Sequence, residues 1–218
     1  MIRVGLVDDQ GLFRTGIRML VDSQPDLRVV GEAGDGVEAV AMVVAGSPDI
    51  VLMDIRMPVM DGIAATEEIL ADAERRGSAP PRIVVLTTFD LDEAAARAIR
   101  AGASGFLLKD ADPEFLLAAI RTVHSGSSVT AASATLRLFE RFGDAAASPV
   151  PAAYESLTTR EREIFVLAAK GLSNAEIATA EFLSEATVKT HVSRILAKLA
   201  LRDRVQLVVF AFEHGLAR

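Results

Sequence analysis

The chain has 218 residues, half of them hydrophobic, with a formal net charge of −7 and no cysteine. This length favours two small domains over one, and the absence of cysteine excludes disulfides and thiolate metal sites. Three scattered histidines argue against a zinc site. No apolar run reaches the roughly eighteen residues of a membrane span, and the N-terminus is unlike a signal peptide. We therefore expect a cytoplasmic protein with no membrane partner.

The charge is divided unevenly along the chain. Residues 154–218 carry nine Lys/Arg and eight Asp/Glu, a net charge of +1, whereas residues 1–153 carry fourteen and twenty-two, a net charge of −8. An acidic body joined to a slightly basic module is one indication that the C-terminal part binds nucleic acid. Ordinary variation in surface charge explains the same numbers equally well.

Residues 1–126 alternate between short apolar runs and helical patterns. Strands are predicted at 4–9, 28–33, 49–54, 82–88 and 105–109, and helices at 10–23, 36–45, 63–76, 91–101 and 112–125. Strands that alternate with helices predict a parallel sheet covered on both faces, and right-handed crossovers restrict it to a doubly wound topology. The predicted fold class is α/β, with a five-stranded parallel sheet.

Polar residues collect where the predicted strands end. They are Asp8 and Asp9 on the first strand, Asp54 on the third, Thr87 on the fourth and Lys109 on the fifth. Ligands of doubly wound sheets bind at this edge, near the switch point in strand order, so we expect these side chains to meet. Glu32, on the second strand, is placed outside the cluster. Close carboxylates repel unless a cation joins them, and a set of oxygen ligands suits Mg²⁺.

A buried carboxylate at the end of an apolar strand needs a reason to be there. A carboxylate can attack phosphorus to form an aspartyl phosphate, which makes Asp54 a candidate phosphate acceptor. Lys109 and the Thr87 hydroxyl would then contact the phosphoryl oxygens. The alternative is that the acids are strand-end caps and Lys109 is their salt-bridge partner. That alternative has weight for any one residue, but little for all of them together.

The remainder of the chain is predicted to be helical. Residues 127–142 predict a short helix, and residues 143–153, with two prolines, predict a linker. In the last 65 residues, Ser184 is a predicted N-cap for a helix whose two faces differ. One face is apolar: Val188, Val192, Ile195 and Leu199. The other is basic and rich in hydroxyls: Lys189, Thr190, Ser193, Arg194 and Lys198. This pattern favours a helix-turn-helix that binds the DNA major groove, and the alternative is a small helical bundle with a solvated face.

Four segments resemble a bacterial response-regulator receiver domain over residues 1 to about 126. They are "VDD" (7–9), "LMDIRMPVMDG" (52–62), "LTTFD" (86–90) and "GASGFLLKD" (102–110). The resemblance implies phosphorylation of Asp54 by a histidine kinase and contacts from Thr87 and Lys109 to the phosphoryl group. It also implies Mg²⁺ bound by Asp8, Asp9, Asp54 and the backbone carbonyl of Arg56. Thr87 and Phe106 resemble the switch pair of the family, although Phe106 equally suits core packing.

The C-terminal part resembles the LuxR/NarL-type helix-turn-helix over about residues 155–212. The resemblance is carried by "LTTREREIFVLAAKGLSNAEIA" and "LSEATVKTHVSRILAKL". It implies DNA contacts by Thr187, Lys189, Thr190, Ser193 and Arg194, with His191 and Lys198 nearer the backbone. Residues 204–212 resemble the fourth helix that pairs two copies on an inverted repeat, although packing within one chain explains the same residues. Glu181 stands where the family usually has Leu.

These observations predict a DNA-binding response regulator of a two-component system. Its domains are a receiver (1–126), a linker (127–153) and a helix-turn-helix domain (154–218). Its expected partners are a sensor histidine kinase, double-stranded promoter DNA and, after phosphorylation, a second copy. One rival is an aspartyl-phosphate phosphatase of the haloacid-dehalogenase kind, although Arg56 replaces the second Asp that such enzymes require. The other is a regulator that binds DNA without phosphorylation.

Overall fold

The computed structural model describes residues 1–88, 93–125, 138–139 and 148–216. The chain divides into two compact units, Met1–Val129 and Thr130–Arg218. The helix predicted within 127–142 lies outside the described residues except for Leu138 and Phe139, which are helical. Of the predicted linker, only residues 148–153 are described. None of the helices in the described ranges has the length and apolar content of a bilayer-spanning segment.

The first unit contains a five-stranded parallel sheet in the order β2–β1–β3–β4–β5. The strands are β1 (Ile2–Val7), β2 (Leu27–Ala33), β3 (Ile50–Asp54), β4 (Arg82–Thr87) and β5 (Gly105–Leu108). The predicted fold class is thereby confirmed. Strand order changes direction next to β1, and this switch point is where a doubly wound sheet opens a crevice beyond its carboxyl ends.

Within the described part of this unit, five helices cover the two faces of the sheet. They are α1 (Gly11–Asp22), α2 (Gly36–Gly46), α3 (Gly62–Arg76), α4 (Glu93–Arg100) and α5 (Pro113–His124). Successive strand residues point to opposite faces, so Leu52 packs in the core beneath α1 and α5, whereas Met53 packs in the core beneath α2 and α3. Both faces of β3 are therefore buried. Asp54, its last residue, lies at the carboxyl end of the strand, where both hydrophobic cores end.

Gly62 lets α3 begin directly against the end of β3. A Cβ atom at this position would overlap the backbone carbonyl oxygen of Asp54. The Gly62 N–H donates to the Ile55 carbonyl over 2.9 Å, and the Asp61 side chain caps the helix by accepting from the Ala64 N–H. The glycine thus fixes how closely the segment after Asp54 returns to the strand.

The second unit is helical over its described residues. Its helices are α6 (Ala152–Glu155), α7 (Thr159–Ala169), α8 (Asn174–Glu181), α9 (Glu185–Lys198) and α10 (Arg204–Glu213). Capping boxes start α7 at Thr158 and α8 at Ser173, because each N-cap side chain and the Glu three residues later bond each other's backbone amides. The predicted apolar face of α9 is buried among these helices: Val188, Val192, Ile195 and Leu199.

Both faces of α10 are covered. Leu207 and Ala211 belong to the core shared with the other helices of the second unit. The opposite face includes Val208, which is fully buried, and Phe212, whose ring lies 5.5 Å from that of Phe139. The Ser148 N–H also donates to the Glu213 carbonyl over 2.7 Å. The segment that precedes α6 is thereby fastened to the end of α10.

Candidate functional site

The carboxyl edge of the sheet brings together three of the predicted acidic residues. One carboxylate oxygen from each of Asp8, Asp9 and Asp54 lies within 4.8 Å of the other two. β1 and β3 are neighbours in the sheet, so the acids that follow their apolar cores emerge side by side. Asp8 and Asp54 are buried and Asp9 is exposed. The cluster therefore has two acids held inside the protein and one at the solvent boundary.

Lys109 bridges the two buried acids. Its Nζ lies 2.7 Å from Asp8 Oδ2 and 2.8 Å from Asp54 Oδ2. The Lys109 backbone N–H donates to the Thr87 carbonyl over 2.8 Å, which holds the end of β5 against the end of β4. The ammonium group also lies 5.1 Å from the ring centroid of Phe13 on α1. The peptide bond that follows Lys109 is trans.

The site is unbalanced in charge. Burial raises the pKa of Asp54; the hydrogen bond from Lys109 and a backbone hydrogen bond from Arg56 oppose this rise, while the nearby Asp8 charge adds to it. Burial alone would lower the pKa of Lys109, but hydrogen bonds to Asp54 and Asp8 outweigh burial and raise it. Two carboxylates thus share one ammonium group, so the site keeps a net negative charge that a further cation can neutralise.

The donor set fits Mg²⁺. All the candidate ligands are oxygens, and hard divalent cations prefer carboxylate, carbonyl and water ligands. Arg56, whose carbonyl is the predicted fourth ligand, lies two residues after Asp54 in the chain and is exposed. Its backbone N–H bonds the Asp54 carboxylate. This hydrogen bond holds the backbone of Arg56 beside the Asp54 carboxylate.

The two predicted switch residues lie on neighbouring strands. Thr87 ends β4 and is buried. Phe106 lies on β5 opposite Val85 of β4 and is 8 % exposed. The Phe106 ring is therefore packed in the protein interior in this structure.

Sequence reasoning did not single out Arg14. Its guanidinium donates to the backbone carbonyl of Asp8, and its Nε lies 3.5 Å from Glu32 Oε2. Glu32, placed outside the cluster by the sequence, pairs with Arg14 and with Arg18. The available signal was a cation five residues after Asp9, in the first part of α1, with a second cation, Arg18, four residues further on.

The second unit presents the other predicted surface on α9. Four predicted DNA-contacting residues are exposed and line one shallow groove with Ala186 and Ala197: Lys189, Thr190, Ser193 and Arg194. They share this face because positions three and four apart in a helix lie on the same side. Basic and hydroxyl side chains around small residues form a surface that can approach a DNA groove closely.

The other three predicted DNA-contacting residues make internal contacts or are partly buried. The Thr187 hydroxyl lies 2.8 Å from that of Ser184, the N-cap of α9. His191 is partly buried. Lys198 Nζ lies 2.7 Å from Glu161 Oε2 and donates to the Ser156 carbonyl over 3.2 Å. Lys198 thus ties the end of α9 to the capping box of α7.

Glu181 is paired with a cation. Its carboxylate and its backbone carbonyl both accept from Arg160 of α7, which also pairs with Glu163. The next residue, Phe182, is 96 % exposed and adopts the left-handed conformation with φ of 54°. The turn between α8 and α9 therefore directs Glu181 out to Arg160 rather than into the core.

An acid–lysine cluster at the edge of a doubly wound sheet, joined to a helix-turn-helix unit, defines a class of proteins: receiver-type regulators of transcription. Two family models match the chain. The response regulator receiver domain matches residues 4–121, and the luxR family of bacterial regulatory proteins matches residues 155–211. The chain belongs to the two-component response regulators that carry a LuxR-type DNA-binding domain.

Full-length relatives support this assignment. The chain is 43 % identical over 218 residues to the uncharacterized transcriptional regulatory protein YxjL of Bacillus subtilis, covering all of this chain and 98 % of the relative. It is 40 % identical over 216 residues to LiaR of the same organism, covering 99 % of both chains. It is 40 % identical over 215 residues to the response regulator VraR of Staphylococcus aureus, covering 99 % of this chain and 98 % of the relative.

Solved structures show the same architecture. The response regulator ChrA of a heme-sensing two-component system aligns with a TM-score of 0.51 and 35 % identity, over 99 % of this chain and 98 % of that one. The receiver domain of NarL from Mycobacterium tuberculosis aligns with a TM-score of 0.52 and 33 % identity, over 57 % of this chain and 97 % of that domain.

Proposed function

We propose that a sensor histidine kinase phosphorylates this response regulator on Asp54 in the presence of Mg²⁺, and that phosphorylation promotes dimerisation and binding to promoter DNA. The observation that carries the proposal is the position of Lys109, within 2.8 Å of both Asp8 and Asp54, beside a third carboxylate. This group of residues can neutralise a phosphoryl group and hold a divalent cation. A regulator that binds the chromosome acts in the cytoplasm.

The phosphoryl transfer uses Asp54 as the nucleophile. A P–O bond forms to an Asp54 oxygen while the P–N bond to the imidazole of the kinase breaks, and the imidazole leaves with the electron pair. Lys109 turns from the carboxylates to the phosphoryl oxygens, where the Thr87 hydroxyl also donates. Asp8, Asp9, Asp54 and the Arg56 carbonyl would hold Mg²⁺. When bound, Mg²⁺ neutralises the charge on the transferring phosphoryl oxygens.

The phosphorylated state shifts the population between two conformations. Thr87 moves toward the phosphoryl group and Phe106 follows, which alters the surface near β5. Dimerisation through the apolar face of α10 would require the ring contact between Phe212 and Phe139 to open. The DNA contacts that we propose are those of the α9 groove, assisted by Thr187 and His191. Lys198 is already paired with Glu161, which reduces the charge that it offers to a DNA phosphate.

The first experiment treats the chain with a small-molecule phosphodonor and Mg²⁺ and follows intact mass. We expect the addition of one phosphoryl group to the wild type and none to Asp54→Asn. We also expect no addition when EDTA removes Mg²⁺ before the phosphodonor is added. Phosphorylation of Asp54→Asn to the wild-type extent would overturn the assignment of the acceptor. Continuous turnover of a phosphate ester would point instead to the phosphatase alternative.

Light scattering with Mg²⁺ and beryllofluoride, a mimic of the phosphoryl group, tests dimerisation. We expect a change from monomer to dimer in the wild type and none in Asp54→Asn. DNA binding is then compared for Lys189→Ala, Arg194→Ala and the control Lys170→Ala, which lies at the end of α7. We expect the first two to weaken binding and the control to leave it unchanged. An affinity that does not fall with salt would contradict DNA binding through α9.

A further inference from the structure

Contacts from several elements hold Asp8 in place, and its backbone carbonyl is bound by Arg14 of α1. The Asp8 N–H donates to the Ala33 carbonyl over 3.2 Å, which joins the turn to the end of β2. Asp8 Oδ1 accepts from the Gln10 N–H over 2.9 Å, and Asp8 Oδ2 faces Lys109. The remaining polar group of Asp8 is its backbone carbonyl, and this group accepts from Arg14.

The Asp8 carbonyl belongs to the peptide whose nitrogen is that of Asp9. The orientation of this peptide therefore sets the direction in which the Asp9 side chain leaves the backbone. Asp9 is the exposed member of the acid cluster, so burial does not fix its position as it does for Asp8 and Asp54. Arg14 is the side chain that holds this peptide against α1.

The charge of Arg14 is offset where it stands. Its Nε lies 3.5 Å from Glu32 Oε2, and both side chains are partly buried, at 23 % and 27 % exposure. Glu32 also pairs with Arg18, which in turn lies 3.6 Å from Asp22. A bare cation beside a metal site would repel the metal. Because Glu32 neutralises its charge, the Arg14 guanidinium can bind the Asp8 carbonyl close to the acids without repelling a metal ion.

We propose that Arg14 is a positioning residue for the divalent cation: through the Asp8 carbonyl it orients Asp9 as a metal ligand, with Glu32 as its counter-ion. This inference rests on the proposed function, because it assumes that the acid cluster binds Mg²⁺. It extends the site to α1 and β2, beyond the strand ends at which the ligands themselves lie.

The test compares Arg14→Met with Arg18→Met in the full-length chain. Both variants remove a cation that pairs with Glu32, but only Arg14 bonds the Asp8 carbonyl. The Kd for Mg²⁺ is measured from the shift of the Asp9 and Gln10 amide resonances during titration with MgCl₂, and thermal unfolding in EDTA is recorded for each variant. Arg14→Lys keeps a cationic donor of similar reach.

The sign of the change separates positioning from charge. Loss of a nearby cation by itself tightens Mg²⁺ binding, whereas loss of the hydrogen bond to the Asp8 carbonyl weakens it. We expect Arg14→Met to raise the Kd about tenfold, the low end for groups that orient a metal ligand. We expect Arg18→Met to remain within about twofold of the wild type, in keeping with a surface ion pair of little weight. Arg14→Lys should recover most of the affinity.

A wild-type or lower Kd for Arg14→Met would overturn the proposal, as would equal weakening in Arg18→Met. If Arg14→Met does not fold, the shorter neutral variant Arg14→Gln takes its place: a Kd raised in Arg14→Gln and recovered in Arg14→Lys supports the proposal, and a wild-type or lower Kd in Arg14→Gln overturns it. Failure of the wild-type chain to bind Mg²⁺, or an unchanged Kd in Asp9→Asn, would count against the proposed function itself.

Discussion

Each unit of the protein contains a buried carboxylic acid in contact with a lysine, and the pKa values of these two acids are shifted in opposite directions. Lys109 Nζ lies 2.8 Å from Asp54, and Lys198 Nζ lies 2.7 Å from Glu161. Both carboxylic acids are 5 % exposed. The pKa of Asp54 is nevertheless raised, whereas that of Glu161 is lowered to about 2.

The neighbours of each carboxylate explain the difference. Hydrogen bonding from Lys198 is the main cause of the lowered pKa of Glu161, and the N–H and hydroxyl of Thr158 add to it at 2.8 and 2.9 Å. Asp54 shares its lysine with Asp8, so its burial is not offset. The Glu161 charge is balanced by Lys198, and this ion pair holds α7 to α9. The Asp54 charge is balanced only in part, because Lys109 also pairs with Asp8. A carboxylate whose charge is left unbalanced at a strand end is a candidate for a functional site.

The largest expected effect is that of Lys109→Met on the receiver. Removing the cation leaves two buried like charges unpaired, so we expect a loss of about 3 kcal/mol at neutral pH without divalent cations. Urea unfolding followed by circular dichroism measures it. Added Mg²⁺ should restore part of the stability. Unchanged stability without metal would show that Asp8 and Asp54 do not need Lys109.

Glu161→Gln should destabilise the second unit by about 2 kcal/mol, because it removes charged hydrogen bonds to Lys198 and to the N-cap. The sole tyrosine, Tyr154, lies in this unit with its ring 5.2 Å from that of Phe165, and no tryptophan is present. Tyrosine fluorescence in urea therefore reports this unit alone. Glu163→Gln, an exposed position on the same helix, is the control and should change little.

The pH dependence of Glu161 follows from its lowered pKa. The folded pKa is about 2 and the ordinary value is 4.5, so the stabilisation is complete above about 4.5 and disappears as the pH falls toward 2. The difference in stability between wild type and Glu161→Gln should shrink across this window. For Asp54 the pKa is raised, so its contribution has the opposite sign and favours the folded receiver as the pH falls. A constant difference would contradict the Glu161 assignment.

Asp54→Asn should leave the metal-free receiver as stable as the wild type, or more stable by up to about 1 kcal/mol. The substitution removes a buried charge that Asp8 repels, and it leaves Lys109 paired with Asp8. Equilibrium urea unfolding at neutral pH in EDTA measures the change. A clear loss would mean that the Asp54 charge is satisfied like that of Glu161, and the contrast between the units would fail.

The smallest expected effect is that of Glu181→Leu. Glu181 pairs with Arg160 on a partly exposed surface, and such pairs contribute little to stability. We expect a change of less than about 3 °C in the melting temperature of the second unit. A larger loss, absent from the control Glu163→Gln, would show that the ion pair shapes the turn before α9.

The sequence by itself determined the strands and helices of the first unit and which acids stand at its strand ends. Alternation of apolar runs with helical patterns, the N-cap Ser184 and strand-end acids are local signals, and each predicted strand end lies within two residues of the observed one. The doubly wound order then followed, because parallel strands with right-handed crossovers admit few arrangements.

Only the tertiary structure decided which charges meet. Lys198 carries the same sequence signal as Lys189, but it contacts Glu161, 37 residues away, while Lys189 faces outward. Arg14 and Glu32 come from different elements, and their meeting beside Asp8 depends on how α1 packs against the sheet. Local pattern fixes the face on which a side chain lies, but its charge partner depends on distances that only packing sets.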